Sequence, residues 1–192
     1  MVTFIVPKNS GLKICKEIVK KLNLKGKIIE IRGEDIPLFV DRLTEKNKAV
    51  LGITGEDLFN EFILKNKSSN LKINKKILWQ DKECIFGKPT LCLLGPKNKK
   101  LGELKKNLRI CINSKYKELA KRYCLKFLKN RDYLLEKIYV SGATEDFFSK
   151  GIADLVIDIV YSGKSAKEAN LEVYDRIFSS DIVVIGGKNE KV

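Results

Sequence analysis

The sequence contains no histidine. That absence removes the side chain most often used as a general base and excludes Ser–His and Cys–His nucleophilic catalysis. Cysteine is present but unpatterned: Cys15, Cys84, Cys92, Cys111 and Cys124 are scattered, and no two make a CxxC pair. With no histidine to complete a ligand set, this spacing argues against a zinc site and against a disulfide scaffold. Cys92 and Cys111 fall inside apolar runs and are expected as small core residues in a reducing compartment. No uninterrupted apolar run approaches the roughly 18 residues that a membrane-spanning helix needs. The apolar start, residues 1–6, is too short for the core of a signal peptide and has no basic residue ahead of it. The expectation is a soluble cytoplasmic protein.

Lysine, by contrast, is abundant. The net charge is +14, and only six of the 38 basic residues are arginine. Such a charge suits a nucleic-acid surface or an anionic small-molecule substrate. The lysines are spread along the whole chain, however, and arginine, the better reader of bases and phosphates, is scarce. The pattern reads as a compositional habit that leaves solvated lysine faces, and it weighs against a dedicated nucleic-acid surface.

At 192 residues the chain can hold one large domain or two small lobes. Residues 2–6 form a short β-prone run. Leu12, Ile14, Cys15, Ile18, Val19 and Leu22 then recur at helical spacing. Residues 28–31 and 49–53 read as further strands. Asp35-Ile36-Pro37 starts a helix, with Asp35 as cap and Pro37 in the first turn, where a missing N–H costs nothing. Thr54-Gly55-Glu56-Asp57 starts another, its two acids matching the helix dipole. The first 65 residues therefore read β-α-β-α-β-α, a parallel sheet covered by helices. A strand over 85–94, closed by Gly95-Pro96-Lys97-Asn98, marks a crossing into a second lobe. That lobe has strands over 108–112 and 138–140, a helix over 114–128 and a short one over 146–150. A last strand over 181–185 has no helix after it and is expected to return to the first lobe. The expected lobes are 1–95 plus 172–192, and 96–171, both α/β, with strand carboxyl ends facing a cleft between them. Trp79, the only tryptophan, is expected to pack at a lobe surface.

The stretch 151–171, GIADLVIDIVYSGKSAKEANL, carries the most chemistry. It reads as a buried strand interrupted by Asp154 and Asp158, followed by a hydroxyl-rich turn, Tyr161-Ser162-Gly163-Lys164-Ser165, that opens a helix. Backbone N–H groups at a helix start have no internal partner and sit at the positive end of the dipole. Two hydroxyls, a glycine that permits close approach and a lysine suit a phosphate monoester. Asp158 at the strand end could hold a sugar hydroxyl or a metal-bound water. An ordinary strand–turn–helix with Ser162 as N-cap uses the same residues.

Several of these pieces, taken in order, resemble one family. They are Val6-Pro7-Lys8, Arg32-Gly33-Glu34-Asp35-Ile36-Pro37, Leu51-Gly52-Ile53-Thr54-Gly55-Glu56-Asp57, Ser114-Lys115-Tyr116, Ser141-Gly142-Ala143-Thr144-Glu145, and Ala153-Asp154 through Ser165. In this order the chain resembles the catalytic subunit of ATP phosphoribosyltransferase, in its short form. The resemblance implies a two-lobed fold like that of type 2 periplasmic binding proteins. It implies a reaction that joins ATP N1 to the anomeric carbon of phosphoribosyl pyrophosphate (PRPP), releases pyrophosphate, uses magnesium and opens histidine biosynthesis. By the same resemblance Ser162, Gly163, Lys164 and Ser165 hold the ribose 5-phosphate. Asp158 and Asp154 address the ribose hydroxyls. Lys8 and Arg32 lie near ATP or the pyrophosphate as catalytic cations, and Glu145 sits with them at the ATP-binding cleft. The implied partners are a regulatory subunit similar to histidyl-tRNA synthetase and further copies of the chain, with no membrane and no nucleic acid.

The sequence departs from the family pattern near its start. Pro7-Lys8-Asn9-Ser10-Gly11-Leu12 stands where the family reads Pro-Lys-Gly-Arg-Leu, and residues 23–30 replace a longer interval with a further basic segment. Two cations expected near the polyphosphates are therefore absent. Tyr161 stands where a polar or acidic residue is common. A homologue that binds nucleotide, PRPP or a partner subunit without turnover is the alternative these departures leave open.

Overall fold

A computed structural model describes residues 2–8, 17–20, 26–46, 48–129 and 133–187. The chain forms two compact units, Met1–Trp79 with Asp181–Val192, and Gln80–Ser180. Most of the helix expected over 12–22, including Lys13 and Cys15, lies outside the described residues, although residues 17–20 are helical.

The sheet of the first unit holds β1 (Val2–Pro7), β2 (Gly26–Ile31), β3 (Val50–Gly55), β4 (Lys72–Ile77) and β10 (Ile182–Gly186). Their order is β2-β1-β3-β10-β4. β1 runs parallel to β2 and β3, and β10 is antiparallel to β3 and β4. The central strands are apolar on both faces because both faces are covered. Phe4, Val6, Leu51, Ile53, Ile182 and Val184 pack with Ile18 and Val19 on one side. Ile5, Val50, Val183 and Ile185 pack on the other, against Ile36 and Val40 of α1 (Ile36–Glu45) and Phe59 and Phe62 of α2 (Glu56–Lys65). Gly52 lets α1 approach closely: a β-carbon there would lie 2.7 Å from Val40 Cγ2 and 2.8 Å from Ile36 Cγ2. Pro37 stands in the first turn of α1 as expected; Asp35 holds the cap position, but its side chain makes no capping hydrogen bond.

The second unit repeats this topology. Its strands are β5 (Thr90–Pro96), β6 (Asn107–Asn113), β7 (Leu134–Val140), β8 (Leu155–Val160) and β9 (Leu171–Ser179), in the order β7-β6-β8-β5-β9. β6 is parallel to β7 and β8, while β5 is antiparallel to β8 and β9. The helices are α3 (Lys117–Leu128), α4 (Thr144–Ser149) and α5 (Lys164–Glu168). Cys92 and Cys111 are fully buried, as expected of small core residues. Burial pushes their thiols up to about 12 and about 11.

In each unit the antiparallel fourth strand arrives by a crossing: β10 follows Ser180 and β5 follows Trp79. The expected lobe boundaries differ from this division because the first crossing precedes β5 instead of following it, and because β9, which the expected boundary at 172 gave to the first lobe, pairs with β5 in the second sheet and moves the return crossing to Ser180. Leu91, Cys92, Leu93 and Leu94 are at most 1% exposed. They are buried because β5 lies inside the second sheet, between β8 and β9. β5 also starts later than expected, at Thr90, since Gly87 at φ +73° and Pro89 break the run.

Candidate functional site

The carboxyl ends of β6, β7 and β8 lie side by side, and three residues meet there: Asn113, Thr144 and Asp158. Asn113 Nδ2 donates to both Asp158 oxygens at 3.1 Å. Thr144 Oγ1 donates to Oδ2 at 2.8 Å, and the Ile159 N–H donates to Oδ1 at 2.7 Å. A carboxylate has about four acceptor sites, so Asp158 is engaged in tying the three strand ends together. Burial raises its pKa, Glu145 adds to the rise, and the three donors oppose it. Asn113 and Thr144 were not singled out from the sequence. Asn113 caps the turn that follows β6, accepting from the Lys115 N–H at 3.2 Å, and an Asn between an apolar run and a helix is the signal that could have found it.

Directly after β8 come Ser162, Gly163, Lys164 and Ser165. Gly163 takes a left-handed conformation, φ +72° and ψ 4°, and caps α5, the position the simpler reading gave to Ser162. The Ser162 hydroxyl accepts from the Lys164 N–H at 3.4 Å. Ser162, Lys164 and Ser165 are exposed. Lys164 Nζ lies 3.9 Å from Glu168 with its side chain 79% exposed, so its ammonium is available. Half-buried Glu145, in the first turn of α4, stands beside the Asp158 brace, with Thr144 Oγ1 3.3 Å from its Oε2.

Asp154 is placed elsewhere. It precedes β8, four residues before Asp158 and thus about 13 Å away along an extended strand. It accepts from the Arg109 backbone N–H at 2.8 Å and from Nε at 3.2 Å, and it pairs with Lys105 Nζ at 3.0 Å. Burial would raise its carboxyl, but the hydrogen bonds from Arg109 and Lys105 outweigh that and hold it below the ordinary range. The structure therefore does not bring Asp154 to the Ser162–Ser165 loop. A depressed carboxyl stabilises the fold above its unfolded pKa, and that contribution is lost as pH falls through the folded value. Asp154→Asn is expected to cost about 1–2 kcal/mol at pH 7 in urea unfolding, with the gap to the unaltered protein closing as pH falls through the depressed folded-state pKa.

In the first unit Lys8 and Arg32 follow neighbouring parallel strands whose ends are in register, Pro7 opposite Ile31. The Lys8 N–H donates to Ile31 O at 2.8 Å. Both side chains are exposed and neither forms an ion pair among the described residues. Thr54, at the end of β3, lies beside them with its hydroxyl 3.4 Å from Gly33 O. Glu56 is a first-turn acid as expected, but it also pairs with Lys76 at 2.7 Å. Buried Asp181 accepts the Trp79 N–H at 3.0 Å. The Trp79 ring packs against the Phe4–Val6–Ile53 cluster.

Among the described residues no three acidic or sulfur groups are placed to hold a metal ion. Magnesium commonly binds through one or two carboxylates plus substrate phosphates. Half-buried Glu145 is a carboxylate of the kind that mode uses.

The model of the HisG family, ATP phosphoribosyltransferase, matches residues 32–192. The chain belongs to this family. An ATP phosphoribosyltransferase of Sulfurisphaera tokodaii is 32% identical over 178 residues, covering 91% of this chain and 55% of its own length. One from Methanocaldococcus jannaschii is 29% identical, covering 98% and 66%. The chain thus spans about half to two thirds of the length of these two relatives. Among solved structures, a chain of the ATP phosphoribosyltransferase HisG:HisZ complex of Thermotoga maritima superposes with TM-score 0.73 at 23% identity, over 97% of this chain and 88% of that one. The periplasmic aliphatic sulfonate-binding protein SsuA of Escherichia coli superposes with TM-score 0.63 at 13% identity, over 97% and 61%. At these identities the likeness is one of fold, and it agrees with the binding-protein-like α/β fold expected from the sequence.

Proposed function

We propose that this chain is the catalytic subunit of an ATP phosphoribosyltransferase, joining ATP N1 to C1 of PRPP with release of pyrophosphate, the first step of histidine biosynthesis. The observation that carries the reading is the exposed Ser162-Gly163-Lys164-Ser165 loop, braced at the joined ends of β6, β7 and β8, in a chain of this family. In the proposal the Ser162 and Ser165 hydroxyls, the Gly163–Ser165 backbone and the Lys164 ammonium hold the 5-phosphate. Asp158 acts through Asn113 and Thr144, keeping the strand ends in place. Lys8 and Arg32, side by side and without an ion pair among the described residues, meet the polyphosphates of ATP and PRPP, and Glu145 contributes to ATP binding. Magnesium bound with the diphosphate would neutralise charge on the leaving group, and Glu145 is the carboxylate that would help hold it. Displacement at C1 passes through an oxocarbenium-like state. The main demands are to hold the charged leaving group and orient the nucleophile, which lysine, arginine and backbone N–H groups meet without histidine. The proposed assembly is cytoplasmic, contains more than one copy of the chain, and includes a regulatory subunit similar to histidyl-tRNA synthetase.

One observation favours a second reading, a homologue that binds ligand or partner without turnover. The family match begins at residue 32 and leaves out the stretch with the two missing cations. Turnover decides between them. With ATP, PRPP and magnesium, alone and with the partner subunit, the enzyme forms an adduct whose absorbance differs from that of ATP. PRPP binding with no adduct under either condition establishes the second reading.

A further inference from the structure

The loop Asp81–Gly87 is closed on itself. The Asp81 N–H donates to Gly87 O at 2.9 Å, the Cys84 N–H to Asp81 O at 3.1 Å and the Gly87 N–H to Cys84 O at 2.8 Å. The Glu83 N–H donates to Asp81 Oδ1 at 2.9 Å, so the carboxylate is itself oriented by the loop. This closed loop grips the residue just before the Ser162–Ser165 turn at two points. The Tyr161 hydroxyl donates to Asp81 Oδ2, and the Ile85 N–H donates to Tyr161 O at 3.0 Å. Ile85 also lies close over the turn itself: a β-carbon at Gly163 would lie 3.3 Å from Ile85 Cδ1. Ile85 is 52% exposed, so it is not placed for core burial. On its C-terminal side the turn is held by α5, where the Lys167 N–H donates to Gly163 O and Ala166 is buried. On its N-terminal side the Ser162 hydroxyl contact is long and Lys164 points to solvent, so the 81–87 loop is what anchors that side.

We infer that Asp81 and Tyr161 are positioning residues for phosphate binding: the closed 81–87 loop fixes Tyr161 by side chain and backbone, and through it presets the Ser162–Ser165 turn. The inference rests on that turn being the phosphate site. Neither residue needs to touch substrate. A preset turn spares bound phosphate the cost of ordering the loop, so the benefit falls on affinity. The contact with Asp81 also pushes the Tyr161 hydroxyl above its ordinary value, so it stays a donor across the physiological range.

The test uses Tyr161→Phe, which removes one hydroxyl, together with Asp81→Ala, Asp81→Asn and the Tyr161→Phe/Asp81→Ala pair. Ribose 5-phosphate affinity is measured by calorimetry, and amide exchange of residues 162–165 by mass spectrometry. The expected result is about tenfold weaker binding and several-fold faster exchange in Tyr161→Phe and in Asp81→Ala. Asp81→Asn keeps an acceptor and retains most of the affinity, and the double variant is no weaker than the weaker single. Unchanged exchange at 162–165 in both single variants overturns the inference, as does faster exchange with unchanged affinity. No ribose 5-phosphate binding by the unaltered protein overturns the phosphate reading itself, and the positioning role with it.

Discussion

Replacing Lys164 and Ser165 together by alanine is expected to weaken PRPP binding by at least about 100-fold while leaving the unfolding midpoint nearly unchanged. Lys164 makes one long, exposed contact with Glu168, and Ser165 is exposed, so neither has a large part in stability. Each would supply a hydrogen bond to a charged phosphate, an interaction of about 1.5–3 kcal/mol. Two such losses sum to about 3–6 kcal/mol, and each 1.4 kcal/mol is a factor of ten. Titration calorimetry with PRPP and magnesium reads this directly. Full affinity in the double variant would move the phosphate away from this loop. Loss of affinity with an unchanged unfolding curve separates binding from folding.

Asp158→Ala is expected to destabilise the second unit by about 2–4 kcal/mol in urea unfolding, because Asn113 Nδ2, Thr144 Oγ1 and the Ile159 N–H lose their common acceptor. Thr144 is fully buried and cannot turn to water. Removing the buried charge offsets only part of this loss. The pH behaviour carries a sign. Burial raises the Asp158 carboxyl, so the folded state favours its protonated form more than the unfolded chain does. Its contribution is fully present below the unfolded pKa and is lost as pH rises through the folded value. Asp154, four residues earlier on the same segment, has the opposite sign. A carboxyl-carbon NMR titration is expected to place Asp158 above and Asp154 below the ordinary aspartate value of about 3.9. Overlapping midpoints would remove the assignment of Asp158 as the buried brace.

The elements that were readable in the sequence are those whose burial leaves a pattern. β1, β3, β6 and β8 are covered on both faces and show as apolar runs, and Pro37 and the Glu56–Asp57 pair mark helix starts. β4, Lys-Ile-Asn-Lys-Lys-Ile, escaped because an edge strand with an exposed lysine face needs no apolar run. β9 escaped for a similar reason: it is the other antiparallel edge, and its pairing with β5 shifts register twice. Residue spacing alone could not separate Asp154 from Asp158. Both are acids in one apolar run, and only their neighbours, Arg109 and Lys105 for one and Asn113 and Thr144 for the other, assign a surface ion pair and a buried brace.

By itself the sequence determined the α/β class and the family through its ordered motifs, and it singled out the stretch proposed to bind phosphate. All three depend on residues close together in the chain, where periodicity, capping and turn chemistry act. Only the tertiary structure decided that β5 belongs to the second sheet, that Asp158 accepts from Asn113 at the end of β6 and Thr144 at the start of α4, and that Asp81 holds Tyr161 from 80 residues away. These facts are set by which strands lie side by side. A hydrogen-bond partner brought in by the sheet leaves no trace in local spacing.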